Sequence, residues 1–231
     1  MVTLQLPLGI RLRDLATLEN FIPGRNNELY AWLGEHAGGV AGRPLYLWGA
    51  SGLGKTHLLH AACHHAHRAG RSAFYLPLEQ GGQFAPQILD GIEHYPLLAL
   101  DNIDCVMGLP QWEHALFTLY NRAQDQGSQL LITANVAPAQ LGCTLPDLRS
   151  RLGWGLVYQL QDIDDADKMQ ALQRRAAQRG LVLGDDVVAY LLKRVPRDMP
   201  TLFALLERLD QAALAAKRKV TIPFVRELQG W

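Results

Sequence analysis

At 231 residues, the chain is long enough for one large domain or for an α/β domain with a smaller companion. Apolar residues make up 48% and charged residues 19%, which is the composition of a globular chain with a core and not of a disordered or fibrous one. Lys plus Arg balance Asp plus Glu at 22 each, so net charge lends no support to a broad basic face for nucleic acid or anionic membrane.

Three widely spaced cysteines, Cys63, Cys105 and Cys143, contain no CxxC pair. An odd count of this kind makes no disulfide framework and suits a reducing cytosol. The N-terminus has no basic segment leading into an apolar one, and no apolar run reaches the roughly 20 residues that span a bilayer. The expectation is a cytoplasmic protein with no membrane partner.

Residues 1–13 (MVTLQLPLGIRLR) alternate apolar and polar around a proline and a glycine, which reads as an extended tail. Beyond it, short β-rich runs at 45–48, 73–76, 97–100, 130–133 and 156–160 alternate with helical spacing at 56–69, 85–93 and 112–126. That alternation predicts parallel βαβ units in a five-stranded sheet covered on both faces, over 14–161. After Leu160 the strand signal stops. Residues 164–179, 185–193, 198–217 and 222–228 read as consecutive helices, so a small all-helical subdomain is expected over 162–231. Asp164, Asp185 and Asp198 are candidate N-caps, and Gly180 follows the first helix as a C′ glycine does.

Gly49-Ala50-Ser51-Gly52-Leu53-Gly54-Lys55-Thr56 is a complete G-x-x-x-x-G-K-T, preceded by a strand and opening a helix. Its glycines let backbone N–H groups converge on phosphate oxygens, aided by the helix N-terminus. Lys55 is expected to bridge the β- and γ-phosphates of a nucleotide and the Thr56 hydroxyl to ligate Mg²⁺. Asp101 ends the run Leu97-Leu98-Ala99-Leu100, which places a carboxylate at the top of the sheet to hold the Mg²⁺ hydration shell. Asn135 ends another strand and could hydrogen-bond the γ-phosphate or an attacking water, although Asn after a strand is usually turn chemistry. Arg149 and Arg151 precede the last strand, and spacing alone does not choose between a phosphate contact and a surface pair. His57, His60 and His64 share a helix face, but that face opens at the P-loop helix and no fourth ligand is evident, so no metal site is expected there. Lys217-Arg218-Lys219 reads as a solvated helix end.

With these residues assembled, the chain resembles the AAA+ domain of the bacterial replication initiator DnaA, and more closely the Hda-type regulatory inactivators of that initiator. The markers are Thr17-Leu18-Glu19-Asn20-Phe21 ahead of Pro23-Gly24, His57-Leu58-Leu59-His60-Ala61-Ala62, Asp101-Asn102-Ile103-Asp104, Leu145-Pro146-Asp147-Leu148-Arg149-Ser150-Arg151-Leu152, and Thr221-Ile222-Pro223-Phe224-Val225-Arg226-Glu227. The resemblance implies a P-loop AAA+ fold with a helical lid, an adenine pocket at Phe21, and ADP or ATP with Mg²⁺ as ligands. It implies an arginine finger at Arg151 that acts in trans, and the initiator as partner. The tail Gln5-Leu6-Pro7-Leu8 is similar to the Gln-Leu-x-Leu peptide by which the inactivators dock on the DNA polymerase sliding clamp, with Gln5, Leu6 and Leu8 as anchors.

Two departures stand out. Hydrolysing AAA+ proteins usually follow the Mg²⁺ aspartate with a glutamate, where this chain has Asn102, so fast intrinsic hydrolysis is not expected. The lid arginine that senses phosphate in the initiator is replaced by Pro200, with Arg197 one turn earlier as a candidate substitute. The initiator's helix-turn-helix is not found up to Trp231, so direct sequence-specific DNA binding is not expected, while self-association stays open. The rival expectation is an autonomous AAA+ ATPase such as a helicase loader, against which Asn102 argues.

Overall fold

The computed structural model describes residues 16–37, 42–79 and 84–231. The expected tail motif Gln5-Leu6-Pro7-Leu8 lies outside the described residues. Five strands form one sheet: β1 (Leu45–Trp48), β2 (Ala73–Pro77), β3 (Leu97–Asp101), β4 (Gln129–Ala134) and β5 (Leu156–Gln159). Their order is β2-β3-β4-β1-β5, and every pairing is parallel. The carboxyl ends of β1, β3 and β4 are therefore brought side by side along one edge.

Alternation within the strands divides the core. Leu45 and Leu47 of β1, Leu97 and Ala99 of β3 and Leu131 of β4 share a cluster with α1 (Asn27–His36) and α2 (Lys55–Arg68). Tyr46, Leu98, Leu100, Leu130 and Ile132 face the other way, against α3 (Pro110–Gln126) and α4 (Pro146–Trp154). Full burial of one such leucine contributes about 1.5–3 kcal/mol, so β3 and β4, buried at every position, anchor the sheet. The edge strand β5 instead alternates half-buried and exposed residues.

The helical subdomain comprises α5 (Asp165–Gln178), α6 (Asp185–Leu192), α7 (Met199–Ala216) and α8 (Ile222–Gln229) around its own apolar cluster, which includes Leu172, Val188, Leu206, Leu209 and Val225. Asp164 caps α5 by accepting from the Asp167 N–H, Asp198 caps α7 by accepting from the Thr201 N–H, and Gly180 follows α5 with φ of 74°. Asp185 is inside α6, whose N-cap is Gly184. The subdomain is tied to the first segment through Arg174, whose Nη1 donates to the Glu19 carbonyl at 2.8 Å, and through a Gln178–Asn20 hydrogen bond.

One expected helix is not formed. Residues 85–93 make two short 3₁₀ turns, Pro86–Leu89 and Ile92–His94, because Gly91 between them takes a φ of 80° that breaks the helical path. Two helices, α1 and α4, form where the spacing marked none. Among the described residues, no helix is long and apolar enough to cross a membrane.

Candidate nucleotide site

The P-loop links β1 to α2, and its backbone carries the left-handed conformations that only glycine adopts without strain. Gly52 has φ of 84° and Gly54 of 104°. Space, as well as conformation, excludes a side chain here. A Cβ on Gly52 would lie 2.9 Å from Pro200 Cγ, and one on Gly54 would lie 3.2 Å from Phe21 Cε2. The loop is thus held between Phe21, from the segment before α1, and Pro200, from the first turn of the lid helix α7. Phe21 also leans on His57, with ring centroids 5.8 Å apart. Leu53 packs into the α1–α2 core and touches Gly49.

Lys55 opens α2 and is 5% exposed. Its ammonium donates to the carbonyls of Gly49 at 2.7 Å and Ala50 at 2.9 Å, and to Asn135 Oδ1 at 3.0 Å. Burial lowers its pKa, while the nearby carboxylates of Asp101 and Asp104 pull it back up. Thr56, half-buried in the next position, makes no side-chain hydrogen bond with the described residues.

Asp101 ends β3 and is 1% exposed. One carboxylate oxygen accepts from the Tyr75 hydroxyl at 2.8 Å and the other from Thr133 Oγ1 at 2.5 Å. A buried charge needs such partners. Asn135 follows β4, and its amide reaches both ways: Oδ1 accepts from Lys55, and Nδ2 donates to Asp104 Oδ2 at 2.8 Å. Lys55, Asn135, Asp104 and Asp101 therefore form one polar cluster across the carboxyl ends of three adjacent strands, which is where an α/β sheet binds its ligand.

Thr133, Tyr75 and Asp104 hold this cluster together, yet the motifs did not single them out as site residues. Each is fixed by a partner that lies 26 to 80 residues away along the chain or holds such a partner in place. Asp104 was visible as part of a marker run, but its bond to Asn135 was not. Arg197 Nη1 pairs with Asp165 at 2.6 Å and its Nε donates to the Leu192 carbonyl, both within the lid. The group at the P-loop is Pro200, which supplies contact without charge.

The arginine pair is elsewhere. Arg149 and Arg151 are exposed on α4, whose Leu148 and Leu152 are buried. Two positions apart on a helix, they flank the buried stripe on opposite sides. Neither side chain makes an ion pair or hydrogen bond with the described residues. Of the histidines, His57 contacts the Thr17 carbonyl at 3.0 Å, and His60 packs on Tyr75 with centroids 4.3 Å apart.

This fold has counterparts among known proteins. The bacterial DnaA ATPase domain matches residues 12–159, well over half of the chain, and the Hda lid domain matches residues 165–228. The chain belongs to the bacterial DnaA ATPase family. Within it, the lid places this protein among the Hda/DnaA-like AAA+ proteins. Domain III of the Thermotoga maritima replication initiation protein DnaA superposes with a TM-score of 0.84 at 22% identity, covering 96% of this chain and 98% of that one. AMPPCP-bound DnaA from Aquifex aeolicus superposes at 0.74 and 22% identity, over 89% of this chain and 68% of that one. The Thermotoga maritima RuvB branch migration motor reaches 0.71 at 19% identity, over 93% of this chain and 71% of that one. At such identities these likenesses are of fold, and the DnaA-family domain of this chain shares that fold from its P-loop through its lid.

Proposed function

We propose that this protein binds an adenine nucleotide with Mg²⁺ at the P-loop and serves as a regulatory inactivator of the initiator DnaA. Membership in the DnaA ATPase family supports a role related to DnaA in replication, and two similar DnaA structures hold AMPPCP. In this reading Phe21 lines the adenine pocket. Backbone N–H groups from Gly49 through Gly54, with Leu53 packed beneath them, cradle the phosphates. Lys55 gives up its carbonyl partners to take the β- and γ-phosphate oxygens. Thr56 and Asp101 serve Mg²⁺, whose charge would offset that of the phosphates, and Asn135 senses the γ-phosphate. The working form carries ADP.

The observation that carries the regulatory reading is Arg151. Its guanidinium is exposed on α4 with no ion pair among the described residues, so it is available to a neighbouring molecule. There it would complete the site of DnaA by stabilising charge on the transferring phosphoryl group, an effect worth on the order of 10³–10⁵ in rate for a finger supplied in trans. Gln5, Leu6 and Leu8 would dock on the sliding clamp and bring the protein to replicated DNA. The test is hydrolysis of ATP pre-bound to DnaA, with clamp-loaded DNA present and this protein added or omitted. Hydrolysis that does not respond to the protein would contradict the reading.

A further inference from the structure

Tyr120 of α3 is 2% exposed and packs in the apolar cluster that also holds Leu148 and Leu152, the two buried residues of α4. Its ring is ordinary core. Its hydroxyl is not, because that oxygen is buried as well and has no hydrogen-bond partner among the described residues. Buried polar groups are nearly always paired, so an exception asks for a physical reason.

Water does not supply one. Tyr120, Leu148 and Leu152 line a shared cavity of about 10 Å³, which is at the lower limit for a single water. The other side chains lining it are leucines and isoleucines of the sheet and α3. A water there would find one side-chain partner where it needs two or more.

Arg151 is placed differently. It follows Leu148 by three residues and directly precedes Leu152. Side chains three apart on a helix are neighbours, so the arginine stem runs beside a leucine that covers Tyr120. Burial raises the Tyr120 pKa, and the charge of Arg151 opposes that rise. Arg149, on the other flank of α4, acts instead on Cys143, whose thiol is raised chiefly by burial. Among the described residues, Arg151 is a donor without an acceptor and Tyr120 a hydroxyl without a partner, on the same side of one helix.

We propose that Tyr120 is the positioning residue of Arg151: its hydroxyl accepts one guanidinium N–H and so sets the direction in which the fork leaves α4. The inference rests on the trans-arginine reading above. A guanidinium carries five donors in one plane, and one spent on Tyr120 leaves a free edge for phosphoryl oxygens. A fork held at one edge loses less freedom when the partner's phosphate arrives. Because the hydroxyl is buried, water competes poorly for the bond.

The experiment is hydrolysis of labelled ATP pre-bound to DnaA, with clamp-loaded DNA, measured against the concentration of wild-type protein or of Tyr120→Phe. Phenylalanine keeps the ring and its packing and removes one oxygen. The maximal rate is expected to fall roughly tenfold, the factor that a hydrogen bond to a charged group carries. The half-maximal concentration and the melting temperature should hold. An unchanged maximal rate, or a loss seen only as a raised half-maximal concentration, would overturn this proposal and leave the trans-arginine reading intact. A markedly lower melting temperature would do the same, since it would show the hydroxyl already bonded within the isolated chain. Wild-type protein that gives no stimulation would overturn both.

Discussion

The Lys55 ammonium donates to the Asn135 side-chain carbonyl at 3.0 Å, which ties the P-loop at the end of β1 to the end of the neighbouring strand β4. The same amide passes the connection on to Asp104. A change in what Lys55 holds is therefore felt two strands away, at the carboxylates beside Asp101. Exchange of the Gly49 and Ala50 carbonyls for phosphate oxygens would leave the Asn135 bond as the element common to both arrangements.

Lys55→Ala should weaken ADP binding on the order of 10–10²-fold, corresponding to about 1.5–3 kcal/mol for a charge-assisted hydrogen bond. Titration with fluorescent ADP measures this, and a melting curve run in parallel separates lost binding from lost fold. Affinity equal to that of wild type would remove the P-loop lysine from the account.

Glu113 predicts a stability effect that bears on α4. It is wholly buried in α3 and accepts from the Gly108 N–H at 2.8 Å, from the Thr144 N–H at 2.9 Å and hydroxyl at 2.5 Å, and from the Leu145 N–H at 2.8 Å. Burial alone would raise its pKa, but these hydrogen bonds outweigh it and the net shift is downward from 4.5. A lowered carboxylate stabilises the fold fully at pH above its unfolded value and loses that contribution as pH falls through the folded one. Glu113→Gln should therefore cost about 2–3 kcal/mol near neutral pH, where the charge is lost and N–H groups face an amide. The deficit should begin to shrink as pH falls below the unfolded glutamate value of about 4.3, and shrink further toward the lowered folded one. Urea unfolding at pH 7 and at pH 3.5–4 tests both the size and the sign. Because Leu145 is the N-cap of α4, the same variant should loosen the helix that carries Arg151.

Much of this was legible in the sequence, for identifiable reasons. β3 and β4 carry the apolar runs 97–100 and 130–132 because both faces of the sheet are covered, and the lid helices announce themselves through Asp164 and Asp198. The P-loop is a contiguous motif with the required strand and helix on either side. The 85–93 segment misled because its apolar spacing is helical while Gly91 is not. At the site, Lys55, Asp101 and Asn135 could be named from local context. Their partners Tyr75, Thr133 and Asp104 could not, since the contacts depend on strand order rather than on spacing. The Gly52–Pro200 contact was hidden for the same reason.

The tail gives an independent prediction. Replacement of Gln5, Leu6 and Leu8 together by alanine should abolish clamp binding, because truncated apolar anchors typically cost more than 1 kcal/mol each and a short peptide has few other contacts. ADP affinity should not change. Surface-plasmon measurement on immobilised clamp tests this, and undiminished binding by the triple variant would assign clamp docking elsewhere or remove it.

The most direct test of the regulatory account is hydrolysis of labelled ATP pre-bound to DnaA, in the presence of clamp-loaded DNA, with wild-type protein compared with Arg151→Ala, Arg151→Lys and Arg149→Ala. Arg151 is on the surface of α4 away from the buried Leu148 and Leu152, so the alanine variant should fold, bind ADP and bind the clamp as wild type does. It should nevertheless lose the stimulation, by on the order of 10³-fold or to the basal rate. Lysine should recover little, since an ammonium lacks the planar fork that matches a phosphoryl group. Arg149 faces the opposite flank of the helix, and its removal should leave stimulation intact. Full stimulation by a protein lacking both Arg149 and Arg151 would contradict the account.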